Sequence, residues 1–243
     1  LGGAQASSRA VITLQEFLSP GRLGNRPVDL VDLSVAIDAA ATSVAALAPA
    51  DNPMSAPGTT LSGLMVLRTT EGPYWLSFNV GDSRAYVVGG GGIRQLTHDH
   101  SALQEARDLA ATSGAPRVIP PANVVTKALG AGQSGSVKAD YTIMPLEEGD
   151  RAVICTDGVH GVLQDAQIHA VVAAGDGPQG SADALVRASL ETGTRDNTTA
   201  VVVYAGTESR VTLTTNVLNR MIQPVRPASI QTARRVPRRE GSN

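Results

Sequence analysis

Two aspartates stand where an apolar run gives way to a turn, and carboxylates so placed can hold a hard cation. Asp157 follows Arg151-Ala152-Val153-Ile154-Cys155-Thr156 and precedes Gly158, while Asp196 leads into Asn197-Thr198-Thr199-Ala200-Val201-Val202-Val203. The runs 153–155 and 201–203 read as buried strands. A carboxylate at the rim of such a strand is expected to be rigid, poorly solvated and free of a nearby Lys. That suits a divalent ion, which takes oxygen ligands from fixed positions. Asp-Gly and Asp-Asn are also plain turn starters, so either pair taken alone is open to both readings.

A third aspartate lies in Phe78-Asn79-Val80-Gly81-Asp82-Ser83-Arg84-Ala85-Tyr86-Val87-Val88. Strand-like residues on both sides of Gly81-Asp82-Ser83-Arg84 predict a tight hairpin with Asp82 at its tip. Gly89 to Gly92 lacks the Lys and Ser/Thr of a phosphate-binding loop and reads as another hairpin turn. His98 and His100 flank Asp99 at a spacing that transition metals accept. His160 follows the Asp157 turn and is a candidate outer-sphere donor, while His169 reads as a surface or packing residue. No Ser-His-Asp order or Gly-x-Ser-x-Gly turn supports a serine hydrolase. The single cysteine, Cys155, excludes an internal disulfide. Inside an apolar strand it reads as an inert core thiol, and a reducing cytoplasm is the expected compartment.

These residues need a scaffold, and the apolar periodicity supplies one. Helices are predicted over 4–18, with Ala6, Ala10, Leu14 and Phe17 on one face, and over 28–48. Strands follow near 59–68, 74–80, 84–89 and 93–96, with short links that imply antiparallel hairpins. A variable segment, Ala102 to Ala122, holds a short helix from Leu103 to Thr112 and a Pro-rich exit. Strands resume near 136–144 and 151–156, then helices over 162–174 and 179–192, then a strand over 198–205. Helices, strands, helices and a strand in that order indicate segregated α+β layers. At 243 residues and 42% hydrophobic, the chain suffices for one enzyme-sized domain. No apolar run reaches the ~18–20 residues that span a bilayer.

The net charge of −2 conceals an asymmetry. From Arg210 onward there are seven Arg and one Glu, which leaves the preceding residues at about −8. That balance is unlike a nucleic-acid binder. The tail reads as extended or disordered, and its Arg234-Arg235 and Arg238-Arg239 pairs are candidates for an acidic partner or for linker sequence.

Together with Gly58-Thr59-Thr60-Leu61, Leu96-Thr97-His98-Asp99-His100-Ser101 and Asn123-Val124-Val125-Thr126-Lys127-Ala128-Leu129-Gly130, the three Asp phrases resemble the metal-dependent Ser/Thr protein phosphatases, the type 2C or PPM family. The resemblance runs in order from residue 1 to about residue 205. It implies a four-layer α/β/β/α sandwich of two antiparallel sheets flanked by helices, with a catalytic domain over 1–207 and a basic tail over 208–243. It implies hydrolysis of phosphoserine and phosphothreonine in protein substrates without a phosphoenzyme, by water activated at two Mg²⁺ or Mn²⁺ ions ~3.5–4 Å apart. On this resemblance Asp157 and Asp196 are ligands of one ion, and Asp82 lies near a third, weaker one. Gly81, Gly158 and Asn197 are supports, with the Asn197 side-chain amide fixing the Asp196 loop. His98 and His100 become structural, and 102–122 becomes a flap beside the cleft.

Leu1-Gly2-Gly3 matches the end of the family's Asp-Gly-x-Gly-Gly phrase with Leu1 at x, so the resemblance implies an Asp-Gly pair ahead of Leu1 whose Asp bridges both ions. Where the family usually has a third-metal Asp this chain has Gly161, so a third ion is expected to bind weakly or not at all. The apolar Leu1, the short flap and the preference for Arg and Ala lean towards a bacterial-type member. Two function classes stay open: a phosphatase, favoured by Asp157 and Asp196, and a catalytically silent relative that senses or scaffolds a kinase pathway, favoured by Gly161 and the ligands not found in the chain.

Overall fold

Alanine-rich faces bring the first long helices together. The computed structural model describes residues 2–24, 26–52, 55–113, 119–132, 136–206 and 230–232. Helix α1 (Gly2–Phe17) buries Ala6 and Ala10; after a single turn, α2 (Pro20–Leu23), comes α3 (Leu30–Ala45), which buries Leu33, Ala36, Ile37, Ala40, Ala41 and Val44. These positions recur every three or four residues, so one stripe of each helix is apolar, and the small side chains let the axes approach closely. Asp29 starts α3 with a reciprocal capping box to Asp32, and Arg26 pairs with the same Asp32 carboxylate. The cap supplies partners for amides that the first helical turn leaves orphaned.

The chain folds as two compact units. The first comprises residues 1–62, 79–83 and 98–140. Besides α1 to α3 it contains β1 (Gly58–Thr59), α4 (Ala102–Ser113) and β6 (Leu129–Gly130), and β1 pairs antiparallel with β6. The predicted strand over 59–68 is therefore two: β1 stops at Thr60, and β2 (Leu61–Thr69) joins a different sheet.

The second unit holds the two main sheets. One runs β10-β7-β3-β2, from β3 (Gly72–Val80), β7 (Asp140–Pro145) and β10 (Ile230–Thr232); the other runs β5-β4-β8-β9, from β4 (Arg84–Gly89), β5 (Gly92–Gln95), β8 (Arg151–Cys155) and β9 (Ala200–Tyr204). The second sheet is antiparallel throughout, with Tyr86 opposite Val153 and Val153 opposite Val202. Its central strands, β4 and β8, are apolar on both faces. Val87 and Ala152 pack with Trp75 and Leu96 between the sheets. Tyr86, Val88, Val153, Cys155 and Val202 pack on the other side, against Ile168 and Val172 of α6 (Asp165–Ala174) and Leu185 of α7 (Pro178–Glu191). Burial pushes the Tyr86 phenol well above its usual range. This α+β sandwich is the predicted fold class, with one addition: β10, from the basic tail, lies parallel to β7. The rest of that tail falls outside the described residues.

Gly89–Gly92 is the predicted hairpin turn, with Gly89 opposite Gly92. The Gly81–Arg84 turn is not a hairpin, because β3 and β4 belong to different sheets. The predicted strand from 136 begins only at Asp140, the predicted helix over 162–174 is α6 and starts three residues later, and a separate helical turn, α5 (Asp157–His160), precedes it. No helix among the described residues is long and apolar enough to cross a membrane.

Candidate active site

Asp157 lies two residues beyond the last rung of the β8–β9 ladder, where Cys155 opposes Ala200. The chain there enters the single helical turn α5 rather than a loop turn. Val159 and Leu163 anchor that turn in the core, and the Gly161 N–H donates to the Asp157 carbonyl (2.8 Å). Thr156 extends the grip towards β9: its N–H donates to the Thr199 carbonyl (3.1 Å), and its hydroxyl accepts from the Thr199 N–H (3.1 Å). The same hydroxyl donates to the Asn197 carbonyl (3.3 Å).

Gly158 makes the closest approach. A Cβ added there would lie 2.3 Å from the Asn197 carbonyl oxygen and 2.8 Å from the Thr198 hydroxyl. The segments carrying Asp157 and Asp196 are thus locked against each other, main chain to main chain. Asp157 is half-buried, whereas Asp196 is exposed, which departs from the poorly solvated carboxylate expected there. Three residues separate Asp196 from the start of β9, enough for the turn to stand clear of the sheet edge. Asp196 Oδ1 accepts from the Asn197 N–H (2.7 Å). Asn197 therefore supports the turn through its main chain, in contrast to the expected side-chain role. The Thr156, Thr198 and Thr199 contributions were not anticipated, although hydroxyls flanking both Asp turns were a visible signal.

Asp82 lies in the first unit, is buried, and sits in a turn between strands of different sheets rather than at a hairpin tip. Gly81, at a φ of 112°, has its carbonyl bonded by Asn79 Nδ2 (2.8 Å) and its N–H bonded by His100 Nδ1 (3.0 Å). His100 is thereby structural. His98 Nε2 meets Asp108, midway along α4 (2.8 Å). His160 and His169 are each partly exposed. Among the described residues no group of three His, Cys, Asp or Glu side chains is placed to hold a metal ion.

A sequence model of the protein phosphatase 2C family matches residues 2–192. The chain belongs to that family. The matched range includes Asp82 and Asp157 and ends four residues short of Asp196. A Listeria innocua serine/threonine phosphatase, stp, is 29% identical over 126 residues, covering 51% of this chain and 49% of that protein. Protein phosphatase PhpP of Streptococcus pneumoniae is 27% identical over 152 residues, covering 62% of this chain and 59% of that protein. The chain thus spans about half to three-fifths of the length of these curated relatives. Among solved structures, the PPM Ser-Thr phosphatase MsPP of Mycobacterium smegmatis, in complex with cacodylate, aligns at a TM-score of 0.65 and 30% identity over 83% of this chain and 82% of its own. The catalytic domain of the phosphatase PstP, in complex with two manganese ions, aligns at 0.64 and 26% over 82% of this chain and 80% of its own. The 2C family match and the PPM neighbours agree with the resemblance that the motifs carry.

Proposed function

We propose that this chain is the catalytic domain, over residues 1–207, of a Mg²⁺- or Mn²⁺-dependent phosphatase acting on phosphoserine and phosphothreonine in proteins. The observation that carries this reading is the lock between Gly158 and Asn197, which holds two carboxylate-bearing turns at the rim of one sheet. Asp157 and Asp196 are hard oxygen donors on separate, mutually fixed segments, a donor chemistry that fits Mg²⁺ or Mn²⁺. When bound, such ions acidify a water and neutralise charge on the phosphoryl oxygens, the main requirements of a loose phosphoryl-transfer transition state. The part played by this chain is positional. The α5 turn fixes Asp157, and the Asn197 N–H holds Oδ1 of Asp196; these two carboxylates would be the ones to hold a cation. Two carboxylates are fewer than a binuclear centre needs, so Asp157 and Asp196 account for part of its ligand set. Asp82 is assigned to a weaker third site. The single, buried Cys155 is consistent with a reducing, cytoplasmic setting, and the substrate is a phosphoprotein of a bacterial kinase pathway.

The second reading, a silent family member that senses or scaffolds, is favoured by the lack of a three-ligand group among the described residues. Hydrolysis of a phosphothreonine peptide in millimolar Mn²⁺, compared with EDTA and with Asp157→Asn, separates the two. Turnover that needs Mn²⁺ and falls at least ~10²-fold in Asp157→Asn supports the phosphatase, since a misplaced or missing positioning group costs about that much. Absence of turnover at saturating Mn²⁺ supports the silent reading.

A further inference from the structure

His100 holds Gly81 at two points. Its main-chain N–H donates to the Gly81 carbonyl (2.9 Å), and its Nδ1 accepts from the Gly81 N–H (3.0 Å). On the other side of Asp82, the Ser83 and Thr60 hydroxyls are 3.0 Å apart and share a hydrogen bond. Gly81 at a φ of 112° leaves no room for a side chain, because a Cβ would lie 2.4 Å from Thr60 Cγ2. The peptide that leads into the buried Asp82 is therefore clamped, and the imidazole is half of the clamp.

The ring's own state follows from its partners. A backbone N–H faces Nδ1, so that nitrogen is bare and the ring proton sits on Nε2. Asp140 Oδ2 and Lys127 Nζ each lie 3.0 Å from Nε2. Only the carboxylate can accept, so Nε2–H donates to Asp140 and the ammonium makes no hydrogen bond to the ring. Lys127 donates instead to the Lys138 carbonyl (3.0 Å) and towards Asp140 Oδ1 (3.5 Å). A carboxylate behind an imidazole fixes tautomer and orientation together, and here a lysine braces the carboxylate.

We propose that His100 is a positioning residue: held as its Nε2–H form by Asp140 and Lys127, it fixes the Gly81 peptide and thereby directs the Asp82 carboxylate towards a divalent cation. The role of Asp82 rests on the functional reading above, whereas the Gly81 geometry does not.

The test compares His100→Asn with His100→Gln. The Asn side-chain oxygen falls where Nδ1 accepts, and the Gln amide reaches where Nε2 donates. The first readout is hydrogen exchange of the Gly81 amide in metal-free protein. His100→Asn is expected to keep its protection, and His100→Gln to lose about tenfold, the ratio set by one ordinary hydrogen bond. The Mn²⁺ concentration for half-maximal peptide hydrolysis should rise in His100→Gln and stay near wild type in His100→Asn. Imidazole ¹⁵N shifts of the wild type, which need no variant, should show an unprotonated Nδ1. A protonated Nδ1, or equal protection in the two variants, overturns the inference. A wild type without phosphatase activity overturns the functional reading alone, and the exchange and ¹⁵N results still decide the role of His100.

Discussion

Replacing Gly158 by Ala tests the lock between the two Asp turns with a single methyl group. Gly158 sits in α5 with ordinary helical backbone, where Ala is intrinsically favoured over Gly by ~0.5–1 kcal/mol. The surroundings oppose this. The new Cβ would lie 2.3 Å from the Asn197 carbonyl oxygen, 2.8 Å from the Thr198 hydroxyl and 3.0 Å from the Asn197 carbonyl carbon. Ordinary contacts between such atoms begin near ~3.5 Å, so the Asp196 segment must withdraw by roughly 1 Å. Two of the three contacts are main chain, which no rotamer change relieves. Overpacking of this kind costs about 1–3 kcal/mol, which exceeds the propensity gain. The net loss should lower Tm by a few degrees in a chain of this size. The functional effect should be larger, because a shift of ~1 Å in a positioning group costs about 10²-fold in rate. Phosphothreonine-peptide kinetics against Mn²⁺ concentration, with Tm measured on the same sample, separate the two effects. A folded Gly158→Ala variant with wild-type kcat/KM and unchanged Mn²⁺ dependence would refute the reasoning that the approach of these turns builds the site.

Two further predictions concern the scaffold. Asp150, 5% exposed, accepts from Trp75 Nε1 (3.0 Å) and the Glu147 N–H (2.9 Å), so Asp150→Ala strands two donors, one of them on a buried indole. It should cost about 2–5 kcal/mol by urea denaturation, and a loss under ~1 kcal/mol would contradict that accounting. Burial raises the Asp140 carboxyl, but the His100 hydrogen bond and the Lys127 charge outweigh it and hold the group below its usual range. A depressed folded pKa adds stability that is present above the unfolded value near ~3.9 and lost as pH falls through the folded one. The stability gap between wild type and Asp140→Asn should therefore be full at neutral pH and shrink below about pH 4; a gap that grows on acidification would reverse the sign.

The strands and helices around the site were legible because their apolar residues repeat with the correct period. Val153 and Cys155 alternate with Ala152 along β8, a strand buried on both faces, and Ala36, Ile37, Ala40 and Val44 mark one helical stripe. What escaped the sequence is what depends on partners. Gly81-Asp82-Ser83-Arg84 signals that the chain turns, but not that the next strand enters another sheet. Thr60 falls between β1 and β2 because the two strands pair differently, a distinction absent from the local pattern. The four residues of α5 are too few to show a period. Asp157 and Asp196 were found by their turn chemistry, whereas the Thr156 hydroxyl that joins their segments and the His100–Asp140–Lys127 cluster unite residues far apart in the chain.

The central claim is that Asp157 and Asp196 hold a common divalent cation. Anomalous diffraction from Mn²⁺-soaked crystals tests it most directly. The account predicts a manganese peak with carboxylate oxygens of both residues at about 2.1–2.2 Å, close to the range of small divalent ions. A peak bound by only one of the two, or no peak at their turns at saturating Mn²⁺, would contradict it.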